Sequence, residues 1–277
     1  MMKGFVITLI SVSLIVILVV MAISLRNEEL RSQRVIIEPL PLIYSSFYFD
    51  SVAQGLNKIA GPELELQENN TSAIIRISDR IETDNHAQEI VNFADFISGD
   101  FAQRTQSNIS MNLSNITNGT NKLFIHEDYI YINDHNRNQS NFTKEGGTGA
   151  RTINIQYNIG AVRSNVTSPI FSNNGTMNMS FVITDLNGTI NETGLAYANQ
   201  VTFMTIDYIG GCQITIQIGR INSNDGSYSI STTNCEIDYS AEVELQPLNF
   251  EKKYGYQYDA TMNYSQGKIE KSDRIGK

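Results

Sequence analysis

The sequence predicts an α+β protein in which an N-terminal transmembrane helix precedes a mainly antiparallel, β-sandwich-like domain with two packed helices. Three observations lead to this prediction. Residues 5–25 form an uncharged apolar run, long enough to cross about 30 Å of hydrocarbon as one helix. Two segments between residues 42 and 101 place apolar residues at helical spacing. Most of the chain after residue 122 alternates apolar and polar residues with the period of a strand.

These patterns divide the chain into four parts. Residues 1–4 are a cytoplasmic stub or leader, and residues 5–25 are the membrane-spanning segment. Residues 26–41 form a charged helical extension and a linker, because the prolines of the sequence EPLPL interrupt a helix. Residues 42–277 form a β-rich, glycosylated domain outside the cytoplasm.

The first helix of the domain is predicted from Leu42 to Ala60, where Gly61 and Pro62 end it. Its apolar stripe is expected to pack on the β domain, since it lacks the basic face of a helix that lies on a membrane. The stripe consists of Phe49, Val52, Ala53, Leu56 and Ile59 or Ala60.

A second helix is predicted from Asn85 to about Phe101, with Asn85 and Gln88 resembling a capping box. Its first turn contains His86, which is expected to be a surface residue. The expected buried face consists of Ala87, Ile90, Val91, Ala94, Ile97 and Phe101.

The remaining segments are predicted to be strands and loops. Residues 106–121 and 148–151 are expected to be loops, the former bearing four glycosylation sequons. Residues 123–132 form an apolar and aromatic run, and residues 201–209 a further strand. Clear alternation predicts strands at 153–159, 177–183 and 242–246, and the second of these places Asn178 on the solvent face.

The two cysteines, Cys212 and Cys235, flank a hairpin-like sequence. In an exported domain they are expected to form a disulfide, and a pair of buried thiols is the alternative. The phase of the second strand requires one extra residue between Ser231 and Asn234, so a β-bulge is predicted there.

Sequons of the form Asn-X-Ser/Thr are the most informative feature of the composition. The chain contains 29 Asn and 14 such sequons, whereas chance would give about five, so an N-glycosylated surface is predicted. The alternative is a domain that is merely rich in Asn and Thr. The acceptors are Asn69, Asn70, Asn108, Asn112, Asn115, Asn118, Asn138, Asn141, Asn165, Asn174, Asn178, Asn187, Asn191 and Asn263.

Charge bears on partners and orientation. The formal net charge of −9 disfavours nucleic acid and anionic lipid as partners. Lys3 on the short side of the apolar run, against Arg26, Arg31 and Arg34 on the other, would favour a cytoplasmic domain. The sequons and the cysteine pair indicate the opposite, and the predicted location is therefore a single-pass protein of the cell membrane with its large domain outside.

No catalytic residue, cofactor or metal site is predicted, and the chain is not expected to be an enzyme. None of the three histidines has the spacing of a zinc motif. The groups His126-Glu127-Asp128 and Asp134-His135 are expected to be solvated. Two turns, at 185–190 and 222–227, carry oxygen ligands as calcium loops do, but plain hairpin turns are the default.

Lys3-Gly4-Phe5, directly before the apolar run, resembles the class III signal of archaeal type IV pilins. The resemblance covers about residues 1–35 and the overall layout. It implies cleavage between Gly4 and Phe5, followed by packing of the apolar helices in a filament core. Leu9 stands where many pilins have Glu, and the proline-containing break is not part of the pattern.

The predicted function is therefore that of a pilin-like structural subunit of a surface filament, which serves adhesion or contact. Its expected partners are membrane lipid, through residues 5–25, and copies of itself or other pilin-like subunits. The alternative is a non-polymerising, membrane-anchored ectodomain that binds a ligand or partner, which should have a pocket or an exposed apolar patch.

Overall fold

A computed structural model of the chain describes residues 39–68, 72–82, 84, 86–125, 129–144, 150–245, 255–266 and 269–276. The chain divides into two units, residues 1–48 and 49–277. Of the first, only residues 39–48 are described, and they form the beginning of a helix. The account below concerns the second unit.

The predicted α+β class is wrong. The described chain contains sixteen strands in two sheets, one of six strands and one of ten, so β-structure dominates and the helices are accessory. The predicted transmembrane helix, residues 5–25, lies outside the described residues. Among the helices that are described, none is both long and apolar enough to span a bilayer.

Helix α1, Pro39–Ala60, carries its two prolines in the first turn, where a missing N–H breaks no helical hydrogen bond. The predicted stripe is confirmed, because all of its members except Ile59 are buried. Gly61, at φ 95°, ends the helix and donates its N–H to the Asn57 carbonyl, as in an αL cap. The Asn121 amide of the larger sheet donates to the Ala60 carbonyl at 3.2 Å.

The second predicted helix is divided into helix α2, Ala87–Phe96, a π-helical turn, Ile97–Phe101, and a short helix α3, Ala102–Arg104. Ile90, Ile97 and Ala102 are buried, whereas Val91, predicted to be buried, is 40% exposed. Helix α2 packs on α1 where the Phe93 ring meets Gly55. A methyl group added to Gly55 would lie 2.6 Å from the ring.

The six-stranded sheet has the order β1-β2-β14-β7-β9-β10. All of its pairs are antiparallel except β7 with β9. Its strands are β1 Glu63–Glu68, β2 Ala73–Ile81, β7 Ala150–Asn158, β9 Met177–Asp185, β10 Gly188–Ala196 and β14 Ile237–Leu245.

The ten-stranded sheet has the order β16-β15-β4-β5-β6-β13-β12-β11-β8, and β3 also pairs with β15. Its strands are β3 Asn108–Asn112, β4 Thr120–Ile125, β5 Tyr129–Asp134, β6 Gln139–Lys144, β8 Arg163–Thr167, β11 Thr202–Tyr208, β12 Gln213–Ile221, β13 Asn224–Thr233, β15 Tyr256–Gln266 and β16 Ile269–Gly276.

Two segments differ from their predicted form. Residues 106–121, predicted to be a loop, contain strand β3 and a short helix α4, Ser114–Thr117. Strands β3 and β4 both run along the same antiparallel partner, β15, so α4 is an insertion between them. The apolar run 123–132 is a hairpin of β4 and β5 rather than one strand.

The sheets bury their facing surfaces against each other in a sandwich-like arrangement. The predicted alternation of β7 and β9 is confirmed, with Asn178 exposed between buried methionines. In the larger sheet, cross-strand neighbours form an unbroken apolar and aromatic row across six strands. That row, every member of which is completely buried, is Ile218, Tyr228, Phe142, Tyr131, Leu123 and Tyr258.

The predicted disulfide between Cys212 and Cys235 is confirmed, with the two Cα atoms 5.3 Å apart. The predicted bulge is absent from the ladder, which pairs evenly from Gln213 and Thr233 to Gly219. The extra residue is Asn234, beyond the end of β13, whose positive φ of 59° turns the chain back toward Cys212.

Candidate functional site

The sequon asparagines lie at the surface. Asn69 and Asn70 lie outside the described residues, and none of the other twelve is buried. Among the described residues, two asparagines are buried, Asn121 and Asn133, and both lie outside sequons. The exposed acceptors are Asn108, Asn112, Asn115, Asn118, Asn165, Asn174, Asn178, Asn187, Asn191 and Asn263.

The exposed sequons form two groups. One surrounds β3, the α4 insertion and the adjacent part of β15. The other extends over β8, β9, β10 and the turns beside them. Strands β8 and β10 end their respective sheets, and β3 pairs only with β15. Several acceptors therefore lie on strands whose open edges could pair with another chain.

Two sequons on or beside β6 differ from the rest. Asn138 and Asn141 are half-buried, and their hydroxyl partners Ser140 and Thr143 are buried. An enzyme that glycosylates a sequon must reach both its asparagine and its hydroxyl residue, so the buried hydroxyls make these two the least accessible of the described sequons in the folded domain.

A polar network lies between the two sheets, and no pattern used in the sequence analysis predicted it. Its centre is Asp79 on β2, which is 7% exposed. Tyr131 of the larger sheet donates its hydroxyl to Asp79 Oδ2, and Asn133 Nδ2 donates to the same oxygen at 2.7 Å. The backbone N–H of Arg80 donates to Oδ1 at 2.7 Å.

Further hydroxyls extend this network across the sandwich. The Tyr131 hydroxyl lies 2.7 Å from the Tyr239 hydroxyl of β14 and 2.6 Å from Ser140 Oγ of β6. The Ser140 and Tyr239 oxygens also hydrogen-bond to each other. Three hydroxyls and one carboxyl, two groups from each sheet, thus share one buried set of hydrogen bonds.

Burial controls the protonation of this network. It raises the pKa of Asp79 from 3.8 to about 7, although the hydrogen bonds from Tyr131, the Arg80 N–H and Asn133 act in the opposite direction. Burial also raises the pKa values of Tyr131 and Tyr239, so both remain protonated donors. The network has no solvent-accessible nucleophile, and its arrangement suits a structural link between the sheets.

Period-two alternation was the signal that could have revealed Asp79. Ala73, Ile75, Ile77 and Ile81 share one buried face of β2, and Asp79 occupies the remaining position on that face. A carboxylate at such a position requires buried donors from a facing element.

Of the two groups that were expected to be solvated, His126-Glu127-Asp128 lies outside the described residues. In the other group Asp134 is half-buried, and His135 is buried, so the expectation is wrong for His135, whose ring contacts the Glu82 carbonyl at 3.2 Å. No group of His, Cys, Asp or Glu within the described residues could hold a metal ion. His86, predicted to be a surface residue, is one-third exposed and pairs with Glu82 at 2.8 Å and Glu89 at 3.0 Å.

The two calcium-like segments are hairpin turns. At the β9–β10 turn, Asp185 accepts the Asn187 N–H and forms an ion pair with Arg163 at 3.3 Å. At the β12–β13 turn, Asn222 and Ser223 both have positive φ, as in a type I′ turn.

Two polar grooves lie on the outer faces of the sheets. One, of about 420 Å³, lies over β3, β15 and β16 and includes the sequon residues Asn108 and Asn263. The other, of about 370 Å³, crosses the six-stranded sheet. Its lining residues are Arg76, Ser78, Asn154, Ile155, Gln156, Val182, Ser240, Ala241 and Glu242.

Three turns at one end of the sandwich form an exposed apolar patch. The N–H of Ile209 donates to the Val162 carbonyl at 2.8 Å, and the N–H of Leu186 donates to the Ala161 carbonyl at 3.1 Å. Ile209 and Leu186 are 69% and 68% exposed, and Val162 is 40% exposed. These three side chains are here called the tip patch.

Neither models of known protein families nor searches of curated proteins and of solved structures give a match to this chain.

Proposed function

We propose that this chain is a structural cell-surface protein, a pilin-like subunit of an archaeal surface filament that serves adhesion or contact. Its β domain lies outside the cytoplasm and carries N-linked glycans. Residues 5–25 hold it in the membrane before assembly and contact neighbouring subunits, identical or pilin-like, afterwards. The role is structural rather than enzymatic, and nucleic acid is not a partner.

The observation that carries this proposal is the exposure of the sequons. An N-glycan adds a large hydrophilic group, so an acceptor asparagine must lie at the surface. Ten of the twelve described acceptors meet that requirement, and the asparagines that are buried in the described part of the chain lie outside sequons. The disulfide supports the same location, since disulfides persist in oxidising compartments.

Mass spectrometry of the native protein tests the proposal. The mature chain is expected to begin at Phe5, and peptides containing the exposed acceptors are expected to carry glycan. A Gly4→Leu variant should retain Met1 and should not be incorporated into filaments, whereas a Leu9→Ile variant should be processed normally. An unglycosylated native chain, or a chain that begins at Met1 in isolated filaments, would contradict the proposal.

The tip patch favours a second candidate function, that of a monomeric anchored ectodomain that binds a partner protein. Contiguous exposed apolar patches mark protein–protein interaction sites, and backbone hydrogen bonds bring the three turns that carry these side chains together. In this case the native protein should retain Met1 and sediment as a monomer after extraction. Replacing Leu186 and Ile209 by Ser should abolish partner binding without changing stability, whereas the same variant of a filament subunit should alter assembly.

A further inference from the structure

The outer face of the six-stranded sheet contains the groove of about 370 Å³. Its floor follows one row of cross-strand neighbours, Ser78, Ser240, Gln156 and Val182. Along the strands, Ser78 and Ser240 lie between longer pairs, Arg76 with Glu242 and Arg80 with Asp238. Short side chains flanked by long ones leave a polar channel that runs across the strands.

The groove offers fixed hydrogen-bonding groups rather than an unbalanced positive charge. Arg76 binds Glu242 at 2.8 Å and Glu65 at 3.3 Å, and Asn154 Nδ2 donates to Glu242 at 3.4 Å. With two carboxylates beside one guanidinium, this wall disfavours an anionic ligand. Amide, hydroxyl and ion-paired groups together with the aliphatic Val182 suit a neutral polyhydroxylated ligand such as a saccharide.

The row that forms the floor continues to a sequon. Val182 of β9 pairs with Asn191 of β10, and directly opposite residues of an antiparallel pair point to the same face with Cβ atoms about 5 Å apart. Asn191 and Thr193 are both exposed, so the sequon is accessible. Asn178, the acceptor on β9, is four residues from Val182, or about 13 Å along the strand.

We propose that the groove holds the N-linked saccharide of Asn191. The inference rests on the proposed function, because it requires the domain to be glycosylated. From β10 the saccharide crosses β9, β7 and β14, and three strand spacings amount to about 14 Å, the length of two or three sugar rings. Its hydroxyls bond to Asn154, Gln156 and the Arg76–Glu242 pair, and its apolar face lies on Val182.

The orientation of this saccharide has a consequence for the edge of the sheet. Strand β10 ends the six-stranded sheet, and the saccharide runs from it across the outer face toward β14, so it covers that face and leaves the open edge of β10 uncovered. The glycan therefore acts as a covering for the sheet as well as a solubilising group.

The test measures how fast glycosidases trim each glycan on the folded, full-length protein from its native host. Enzymes are matched to the glycan found on the isolated peptides, and site-specific trimming is followed by mass spectrometry. The Asn191 glycan is expected to be trimmed about tenfold more slowly than the glycan of Asn174, an exposed acceptor that lines neither groove, because one or two hydrogen bonds to the groove must break first. On the denatured protein the two rates should be equal.

Two variants separate the groove from other causes of protection. Ser240→Trp fills the floor and should raise the Asn191 rate to that of Asn174. Thr205→Trp, at a half-buried position on the outer face of the other sheet, should leave both rates unchanged. Arg76→Ala removes one wall without adding bulk and should raise the Asn191 rate in part.

The outcomes distinguish this inference from the proposed function. If Asn191 is glycosylated but trimmed as fast as Asn174, or if only Asn191 among the exposed sequons lacks glycan, the groove assignment fails while the glycosylated domain stands. If no sequon carries glycan, the proposed function itself fails. If the Asn191 glycan is still trimmed slowly in both the Ser240→Trp and the Arg76→Ala variant, the groove assignment also fails.

Discussion

The buried carboxyl of Asp79 should make the stability of the domain depend on pH in a direction opposite to that of most carboxyls. Its folded pKa of about 7 lies above the ordinary value of 3.8 because of burial. Between these values the folded state holds a proton that the unfolded state has released. Stability is therefore fully present below about pH 4 and is lost as the pH rises through about 7.

The size of this loss of stability follows from the shift in the pKa of Asp79. About three pKa units at 1.36 kcal/mol each give a loss of about 4 kcal/mol in the free energy of unfolding between about pH 4 and pH 8. In a domain of this size that loss corresponds to a fall of about 10 °C in the melting temperature. The nearest other carboxylate acting on Asp79 is Glu82, which raises its pKa further.

An Asp79→Asn variant separates this effect from the rest of the chain. Its side chain cannot ionise, but its new amide donor faces the Tyr131 hydroxyl and the Asn133 amide. Compared with the wild type in which Asp79 is protonated, the variant should therefore lose about 1–2 kcal/mol in the free energy of unfolding. The variant should therefore be less stable than the wild type near pH 4 and more stable by about 2 kcal/mol above pH 8.

Denaturant unfolding across this pH range, with the disulfide intact, measures both curves. Asp238→Asn is the control, since Asp238 lies on β14 of the same sheet but its side chain is 86% exposed. The free energy of unfolding of that variant should change with pH as that of the wild type does. Wild-type and Asp79→Asn curves that stay parallel would refute the assignment of a proton to buried Asp79.

Three further predictions concern the fold and its modification. Replacing Cys212 and Cys235 by Ser should lower the free energy of unfolding by about 3 kcal/mol, measured by denaturant titration, because the bond closes a loop with a separation of 23 residues. Gly219→Ala should cost more than about 2 kcal/mol in the same assay, since φ is 111° and the added carbon would lie 1.9 Å from the Gln200 carbonyl oxygen. Gly160→Ala, which meets no atom within 4 Å, is its control, and equal losses would refute the steric argument. Glycopeptide mapping should find lower occupancy at Asn138 and Asn141 than at the ten exposed acceptors, and equal occupancy would show that glycan is attached before β6 forms.

Local patterns predicted the parts of the fold that depend on local chemistry. The alternation in β7 and β9 can be recognised in the sequence because one face of each strand is buried and therefore apolar. The apolar stripe of α1 can be recognised for the same reason, since one face of the helix is buried. The cysteine pair was predictable because the hairpin between the two residues brings them close together.

The predictions were wrong where a strand forms by pairing with a segment that is distant in the sequence. Residues 108–112 have the composition of a loop, yet they form β3 because β15, about 150 residues later, supplies hydrogen-bond partners. The predicted α+β class overestimated the contribution of the helices for a related reason. Their periodicity is visible in one segment, whereas a sheet of ten strands is defined only by which strands meet.

The same non-local packing explains why a sequon can be a poor guide to a glycan. Ser140 completes the sequon of Asn138, but it lies on the inner face of β6 and bonds to Tyr131 of the neighbouring strand and to Tyr239 of the facing sheet. Thr189, which completes the sequon of Asn187, lies on edge strand β10 and is exposed. The two motifs are equivalent in sequence, and the face of the strand that carries the hydroxyl, together with the position of that strand in its sheet, decides whether the hydroxyl serves the core or remains available for modification.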